Sequence, residues 1–184
     1  LTIGVWINSA ALITTQYQNV VDKGGMCSIY ILNSTGSIIF KIINATNTIQ
    51  PNAGTSVNGT GWRYVVGTYN GTHAAIYVDG ILKTVTPATG TINTTSLPLR
   101  IGSTSGSTYF KGSIDEVRVY NRALSQSEIA ELYNQGQAKI NASQGNKLTS
   151  GLVGYWTFDG ADVTATTALD MSTNDNVGTI NGTV

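Results

Sequence analysis

Short runs of alternating apolar and polar residues fill most of the chain, and they constrain its fold more than any other feature. The runs have strand length, are rich in β-branched and aromatic residues, and end at Gly, Asn, Asp or Pro. A repeat of two residues is the period of a β-strand and not that of a helix. We therefore expect an all-β protein, with strands in LTIGVWIN, SIYILN, SIIFKIIN, RYVVGTYN, HAAIYVDG, ILKTVTP, LPLRIGS and SIDEVRVY.

Two dipeptides predict tight turns between three of these strands. Asn70-Gly71 and Asp79-Gly80 both lie between alternating runs. Asn, Asp and Gly tolerate the positive φ angles that a two-residue type I′ hairpin turn requires. The sequence therefore predicts an antiparallel meander over residues 62–86.

One segment departs from the period of two. In ALSQSEIAELYNQG the apolar residues recur at helical spacing. Ser125 and Glu128 have the spacing of a capping box, and Gly136 is a residue type that commonly ends a helix. We expect one short helix of about three turns, near residues 125–135.

The charge balance excludes some classes of partner. Charged residues make up only 11% of the 184 residues, and ten basic and ten acidic residues give no net charge. Without a basic field or a run of like charges, nucleic acid is not an expected partner. No apolar stretch is long enough for a membrane helix, and the first residues do not resemble a signal peptide. We expect no membrane insertion.

Cysteine usage and sequons bear on the compartment. Cys27 is the only cysteine, which excludes an internal disulfide and a Cys-based zinc site. Asn-x-Ser/Thr sequons predict an extracellular or cell-surface protein with a glycosylated surface. A composition rich in Asn and Thr also produces sequons by chance, so both interpretations stay open. The seven candidate glycosylation sites are Asn33, Asn44, Asn58, Asn70, Asn93, Asn141 and Asn181.

The segment FKGSIDEVRVYNRALSQSEIAELYN closely resembles the closing strand and helix of laminin G-like, concanavalin A-like jelly-roll modules of bacterial and archaeal surface proteins. LTIGVWIN resembles an early strand of that family, and WRYVVGTYNGTHAAIYVDG resembles its central hairpin. The resemblance implies a two-sheet antiparallel jelly-roll sandwich, with residues 1–136 as the body of one module.

The family's opening strand is out of its usual order. GLVGYWTFDG, residues 151–160, resembles that strand but follows the closing helix. The resemblance implies a body that lacks its usual opening strands, an inter-module linker at 137–150 and an opening block at 151–184. The linker segment could instead be a long surface loop. The opening block completes this module or a neighbouring one, through an assembly strand with Leu152, Gly154, Trp156 and Phe158.

Residues that could support catalysis are few. His73 is the only histidine and lies beside a turn, where we expect a surface position. Asp115 and Glu116 could suggest a glycosidase pair. Adjacent residues of a strand point to opposite faces, however, so they cannot flank one bond. We expect Asp115 to anchor a turn, Glu116 to pair with Arg118, and the protein to have no enzymatic activity.

A calcium site is one candidate for chemistry. Asp170, Ser172 and Asn174 place oxygen atoms at every second residue of DMSTNDN, a spacing that can wrap a hard cation. Asp159 is a further candidate ligand. The alternative is an Asx-rich turn that binds its own backbone. The family resemblance favours a structural Ca²⁺ ion somewhat, and no other cofactor is expected.

Carbohydrate binding would require exposed aromatic side chains. Trp6, Trp62 and Trp156 lie within strand patterns, so we expect them in the core. Tyr64 and Tyr109 are the remaining aromatic candidates. The run GSTSGSTY, which ends at Tyr109, is a candidate rim loop.

Two functional hypotheses follow. The first is a non-catalytic structural module, a repeat or subunit of an extracellular filament or array that is assembled by strand or module complementation between copies of itself. The alternative is an adhesion module that binds glycans or proteins, with or without calcium.

Overall fold

The structure is a computed structural model, and it describes residues 1–10, 17–104, 108–139, 149–164 and 166–180. These residues form two large antiparallel sheets and one helix. The predicted all-β fold, a sandwich of two antiparallel sheets with one short helix, is therefore confirmed.

The first sheet has six strands, which in spatial order are β12 (Leu152–Trp156), β11 (Gly112–Tyr120), β1 (Thr2–Ser9), β7 (Arg63–Tyr69), β8 (His73–Val78) and β9 (Ile81–Pro87). The second sheet contains β10 (Leu99–Ile101), β2 (Gln18–Lys23), β3 (Cys27–Ile31), β4 (Ser37–Ile43) and β5 (Thr48–Ile49), and β6 (Asn52–Ser56) also pairs with β4. A separate small pair joins β13 (Thr167–Ala168) to β14 (Gly178–Thr179).

The main core lies between the two sheets. It is built from alternate residues of each strand, because successive side chains of a strand point to opposite faces. Gly67 of β7 faces the ring of Phe40, and a Cβ placed on Gly67 would lie 2.2 Å from that ring. β1 and β4 contribute Ile3, Val5, Ile7, Ile38, Phe40 and Ile42 to this core.

The predicted meander is formed by β7, β8 and β9. Asp79 and Gly80 have φ angles of 55° and 75° between the paired residues Val78 and Ile81. Positive φ at both central residues is the type I′ geometry that the dipeptide predicted.

The first turn of the meander differs from the prediction by one residue. The Asn70 N–H donates to the His73 carbonyl, so Gly71 and Thr72 are the central residues of this turn. The Asn70 Oδ1 atom accepts hydrogen bonds from the N–H groups of Thr72 and His73. Asn70 therefore closes the turn with its side chain and is not a central residue of it.

Helix α1 spans Gln126–Lys139 and begins as predicted. The Ser125 N–H donates to Glu128 Oε2 at 2.8 Å, and the Glu128 N–H donates to Ser125 Oγ at 3.3 Å. The predicted end at Gly136 is wrong, because the helix continues through it. A Cβ on Gly136 would lie 2.3 Å from Trp6 Nε1, so this glycine permits close packing and does not end the helix.

The described part of the chain has no helix that is long and apolar enough to cross a membrane. Residues 137–139 of the predicted linker belong to α1, and residues 140–148 lie outside the described ranges. The remainder of that linker stays a prediction.

The opening block pairs with its own chain. β12 lies antiparallel to β11, and the Trp156 side chain enters the core between the sheets with Phe158 packed against it. Of the two alternatives for this block, completion of its own module or of a neighbouring one, the described residues correspond to the first.

The residues of the predicted assembly strand lie on two faces. Register with β11 shifts between Gly154 and Leu152, so Leu152 packs on the helix side of the sheet while Trp156 packs in the main core. Gly154 is buried under the Trp156 indole. A strict alternation of side chains would put all of these residues on one face, and the bulge in the pairing with β11 breaks that alternation.

Candidate functional site

The outer face of the first sheet is covered by α1. We call it the helix-covered face. A second apolar cluster fills it, in which the Trp6 ring lies 5.3 Å from the Tyr64 ring and 5.7 Å from the Tyr133 ring. Tyr64 is fully buried, which excludes it as a binding platform. The cluster comprises Trp6, Tyr64, Val66, Ala75, Tyr77 and Tyr120 from the strands with Leu124, Ile129 and Leu132.

Two of the three tryptophans are in the core, as predicted. Trp6 and Trp156 are buried. Trp62 is 40% exposed, so its predicted core position is wrong. It immediately precedes β7, where the alternation of the strand has not yet begun.

The outer face of the second sheet is polar. Cross-strand pairing aligns Arg100 with Asp22, Asp22 with Ser28, and Ser28 with Lys41. Their neighbours along the strands, such as Ile29 and Phe40, point into the core, so these four side chains point outward. We call Asp22, Ser28, Tyr30, Lys41 and Arg100 the polar face.

Two tyrosines lie along this face. Tyr17, just before β2, is 50% exposed, and its ring centroid is 5.4 Å from that of Tyr30 at an interplanar angle of 59°. The Tyr30 hydroxyl donates to Gln50 Oε1 at 2.5 Å, and Lys41 Nζ lies 6.0 Å from the Tyr30 ring. Burial, with a smaller effect from Tyr17, raises the pKa of Tyr30.

Two polar groups of this face make no hydrogen bond to the described residues. Ser28 is fully buried, and its hydroxyl has no partner among the described residues. Asp22 is 8% exposed, and within the described ranges its carboxylate accepts no side-chain or backbone hydrogen bond. Burial raises the pKa of Asp22, although Lys41 and then Arg100 oppose that shift. A hydroxyl buried in the way that Ser28 is costs stability unless something else binds it.

An exposed aromatic ring beside amide, hydroxyl and charged groups is the combination that recognises a sugar, which has apolar C–H faces and many hydroxyls. The sequence analysis did not single out these residues. Ser28 and Tyr30 alternate with core residues in CSIYI, as Lys41 does in SIIFKII. That alternation predicts an outward direction, but it does not predict which outward residues become cross-strand neighbours.

The candidate rim loop borders this face. Tyr109 is 60% exposed. Thr108 accepts hydrogen bonds from the Asn19 N–H at 3.1 Å and from Asn19 Nδ2 at 2.9 Å, which ties the loop to the start of β2. Residues 105–107 of the loop lie outside the described ranges.

The predicted calcium ligand Asp170 is already engaged with the protein. Its carboxylate accepts hydrogen bonds from the N–H groups of Tyr155, Ser172 and Asn176 and from the side chains of Ser172 and Asn176, at 2.8–2.9 Å. Burial acts to raise the pKa of Asp170, but these hydrogen bonds outweigh it and hold the pKa below its usual value. This is the arrangement of an Asx-rich turn.

The same segment caps the free edge of β12. Asn174 Nδ2 donates to the Leu152 carbonyl, Asn176 Nδ2 donates to the Val153 carbonyl, and the Met171 N–H donates to the Tyr155 carbonyl. Asp159 is exposed in its own turn. Within the described ranges, no three His, Cys, Asp or Glu residues are grouped to hold a metal ion. The calcium site stays a prediction.

The predicted pair of Glu116 and Arg118 is confirmed as a buried ion pair. The Tyr155 hydroxyl also donates to Glu116 at 2.6 Å, and the Arg118 guanidinium lies 4.4 Å from the Tyr155 ring. Asp115 accepts a hydrogen bond from the Glu116 N–H. His73 is exposed at the tip of its hairpin, as expected.

The candidate glycosylation sites differ in exposure, and their occupancy stays a prediction. Asn70 is exposed. Asn44 is buried, and its Nδ2 atom donates to the Thr89 carbonyl, so a glycan there would have to displace this bond. Asn33, Asn58 and Asn93 are partly buried, and Asn141 and Asn181 lie outside the described residues.

Comparison with known proteins assigns the chain to a family. The family model described as the concanavalin A-like lectin/glucanases superfamily, laminin G type, matches residues 1–130. No curated protein sequence matches the chain. The similar solved structures described below are each under 25% identical, so they establish the fold alone.

Three of these structures show the kinds of protein that share the fold. A Bacteroides ovatus protein named as a candidate carbohydrate-binding protein is 18% identical, with a TM-score of 0.69 over 100% of this chain and 54% of that one. Domain 4 of AbnA, an extracellular GH43 arabinanase of Geobacillus stearothermophilus solved with arabinotriose, is 16% identical, with a TM-score of 0.56 over 72% of this chain and 65% of that one. The botulinum neurotoxin serotype G binding domain is 16% identical, with a TM-score of 0.57 over 78% of this chain and 37% of that one. The chain thus spans about half of the first of these proteins.

Proposed function

We propose a function on one premise: this chain belongs to the concanavalin A-like lectin/glucanase superfamily, whose model matches residues 1–130. On that basis it is a non-catalytic carbohydrate-binding module of an extracellular or cell-surface protein, and it serves in adhesion. The observation that carries the proposal is the polar face, where the Tyr17 and Tyr30 rings lie beside charged groups and beside the buried Ser28 hydroxyl, which has no hydrogen-bond partner among the described residues.

The similar structures support binding more than assembly. The Bacteroides protein is named for carbohydrate binding, the arabinanase domain was solved with arabinotriose, and the toxin domain is a binding domain. The filament hypothesis depended on an opening block that leaves its own module. Because β12 pairs with β11 of the same chain, that motivation is lost.

A non-catalytic role is consistent with the state of the acidic residues. The Glu116 carboxylate is buried and already bound by Arg118 and Tyr155, so it is not available for proton transfer to a substrate. Asp170 is held in the same way by five hydrogen bonds.

The proposal is tested on a glycan array with the whole chain and two matched variants. Tyr17→Ala removes the exposed ring that packs against Tyr30 beside the polar face, and Tyr109→Ala removes a similarly exposed ring from the rim loop. We expect Tyr17→Ala to weaken glycan binding about two- to tenfold, the range that aromatic contacts supply. We expect a smaller effect from Tyr109→Ala.

Three outcomes decide the proposal. Binding that depends on Tyr17 supports it. Silence of the wild type across the array would overturn it, and a dependence on Tyr109 alone would move the site to the rim loop. Repeating the array with EDTA and then with added calcium tests the calcium prediction separately.

A further inference from the structure

We propose that the polar face selects saccharides that carry an anionic group, a carboxylate or a sulfate, over their neutral counterparts. This inference rests on the proposed function and specifies its ligand class. The six strands of the second sheet contain three basic residues, Lys23, Lys41 and Arg100, and a single acidic residue, Asp22. Of the basic residues, Lys41 and Arg100 belong to the polar face.

These two cations are available to a ligand. The ion pairs of the described residues join Arg63 to Asp79, Arg118 to Glu116 and Arg122 to Glu128, all outside this sheet. Within the same ranges, Lys41 and Arg100 have no carboxylate within ion-pair distance. Both act on Asp22 only through space, and they are partly exposed.

The position of the two cations suits an extended ligand. Arg100, Asp22, Ser28 and Lys41 are successive partners across four adjacent strands. Strands lie about 4.8 Å apart, so the row is roughly 14 Å long between its two cationic ends. An oligosaccharide along this row would meet a cation at either end, and Asp22 could accept hydrogen bonds from its hydroxyls between them.

Buried polar groups provide a second, independent observation. Ser28 is fully buried with an unpartnered hydroxyl, and the nearly buried Asp22 lies next to it. An isolated serine hydroxyl adds nothing to the sandwich at this position, since alanine would fit the strand without the desolvation cost. An unpartnered buried hydroxyl beside a carboxylate, in a row that ends in two cations without an ion-pair partner among the described residues, is the pattern of a binding site.

The distribution of charge over the chain points the same way. The chain has no net charge, yet residues 151–180 contain four aspartates and no Lys or Arg. An anion is therefore repelled by this block and attracted to the polar face. The attraction is long-range and weakens as salt is added.

The test uses an array of triplets, in which each neutral oligosaccharide is printed beside a carboxylated and a sulfated derivative of the same core. Lys41→Gln and Arg100→Gln each remove one cation from the polar face, and Lys83→Gln removes an exposed cation from β9 of the other sheet as the control. Charge-assisted hydrogen bonds are roughly twice as strong as neutral ones, so we expect each polar-face variant to weaken anionic binding about tenfold. Binding of the neutral cores should change little.

The outcomes separate this inference from the proposed function. Preference for one or both anionic derivatives, lost in Lys41→Gln or Arg100→Gln and kept in Lys83→Gln, supports the inference and identifies the anionic group. Equal binding of all three members, or an equal loss in Lys83→Gln, overturns the inference and leaves carbohydrate binding intact. Silence across the array overturns both. Thermal unfolding of each variant confirms that it is folded.

Discussion

The helix-covered face and the polar face belong to the same sandwich, but they treat their charged groups differently. On the first face the buried Arg118 has a carboxylate partner in Glu116 and an aromatic neighbour in Tyr155. On the second face the Asp22 carboxylate lies between two cations, Arg100 and Lys41, and forms an ion pair with neither of them among the described residues. The comparison teaches that the charged groups of the first face stabilise the fold by pairing with each other, whereas those of the second face are available to a ligand.

The largest expected effect comes from neutralising one acidic residue on each face. Glu116→Gln leaves the buried Arg118 without its counter-charge and should lower the free energy of unfolding by about 3 kcal/mol or more. Asp22→Asn removes a carboxylate that burial disfavours, so it should leave stability unchanged or raise it. Urea unfolding at neutral pH measures both. Similar losses in the two variants would contradict the distinction between the faces.

The pH dependence of the second variant sharpens this test. Because the pKa of Asp22 is raised in the folded protein, ionisation of Asp22 costs stability as the pH rises through that pKa. The advantage of Asp22→Asn over the wild type should therefore be largest at neutral pH. It should vanish below the ordinary Asp pKa of about 3.9.

Close packing of the helix-covered face is tested at Gly136. Gly to Ala within a helix normally stabilises by about 1 kcal/mol. Here the added methyl group would overlap the Trp6 indole, so we expect Gly136→Ala to lower stability by about 1–3 kcal/mol. Asn134→Ala, at an exposed position of the same helix, is the control and should stabilise by about 0.5 kcal/mol. A gain in Gly136→Ala would show that α1 does not press against β1.

Two buried serines compare a bonded hydroxyl with an unbonded one. Ser9 Oγ donates to Asn58 Oδ1 at 2.8 Å, so Ser9→Ala should lower stability by about 1 kcal/mol. Ser28 of the polar face has no such partner, and Ser28→Ala should be neutral or stabilising by up to about 1 kcal/mol. Thermal unfolding of both variants measures the difference. Equal destabilisation would show that Ser28 has a structural role.

The smallest effect concerns the start of α1. The hydrogen bonds from Arg122 and Ser125 lower the pKa of Glu128 to about 2. A lowered pKa contributes stability above the unfolded pKa of about 4.5, and this contribution is lost as the pH falls toward 2. Glu128→Gln should therefore cost about 1 kcal/mol or less at neutral pH, and its difference from the wild type should disappear near pH 2. A difference that persists there would exclude the charge as its cause.

Local rules predicted a large part of the fold. Alternation predicted most of the long strands but not β2 or β6. Asp79-Gly80 predicted a type I′ turn, and the Ser125–Glu128 capping box predicted the start of the helix. These features depend on residues close together in sequence. Gly136 shows the limit of such rules. A glycine is needed at this position because the helix packs closely against Trp6, which lies 130 positions earlier in the chain.

The candidate site was not predictable in the same way. The polar face depends on the register of four strands, and outward-pointing residues such as Ser28 and Lys41 look like ordinary surface positions in the sequence. The DMSTNDN segment shows the reverse case. Its spacing is compatible with a calcium loop or with an Asx-rich turn, and it does not predict that Asn174 and Asn176 bind the free edge of β12.

The central claim is that the polar face binds saccharide, and backbone NMR tests it most directly. The whole chain, labelled with ¹⁵N, would be titrated with the saccharide that binds most strongly on the array. The account predicts amide shift changes concentrated at Asp22, Ser28, Tyr30, Lys41 and Arg100, with α1 unaffected. Changes confined to the rim loop or to the segment from Asp170 to Asn176, with the polar face silent, would contradict it.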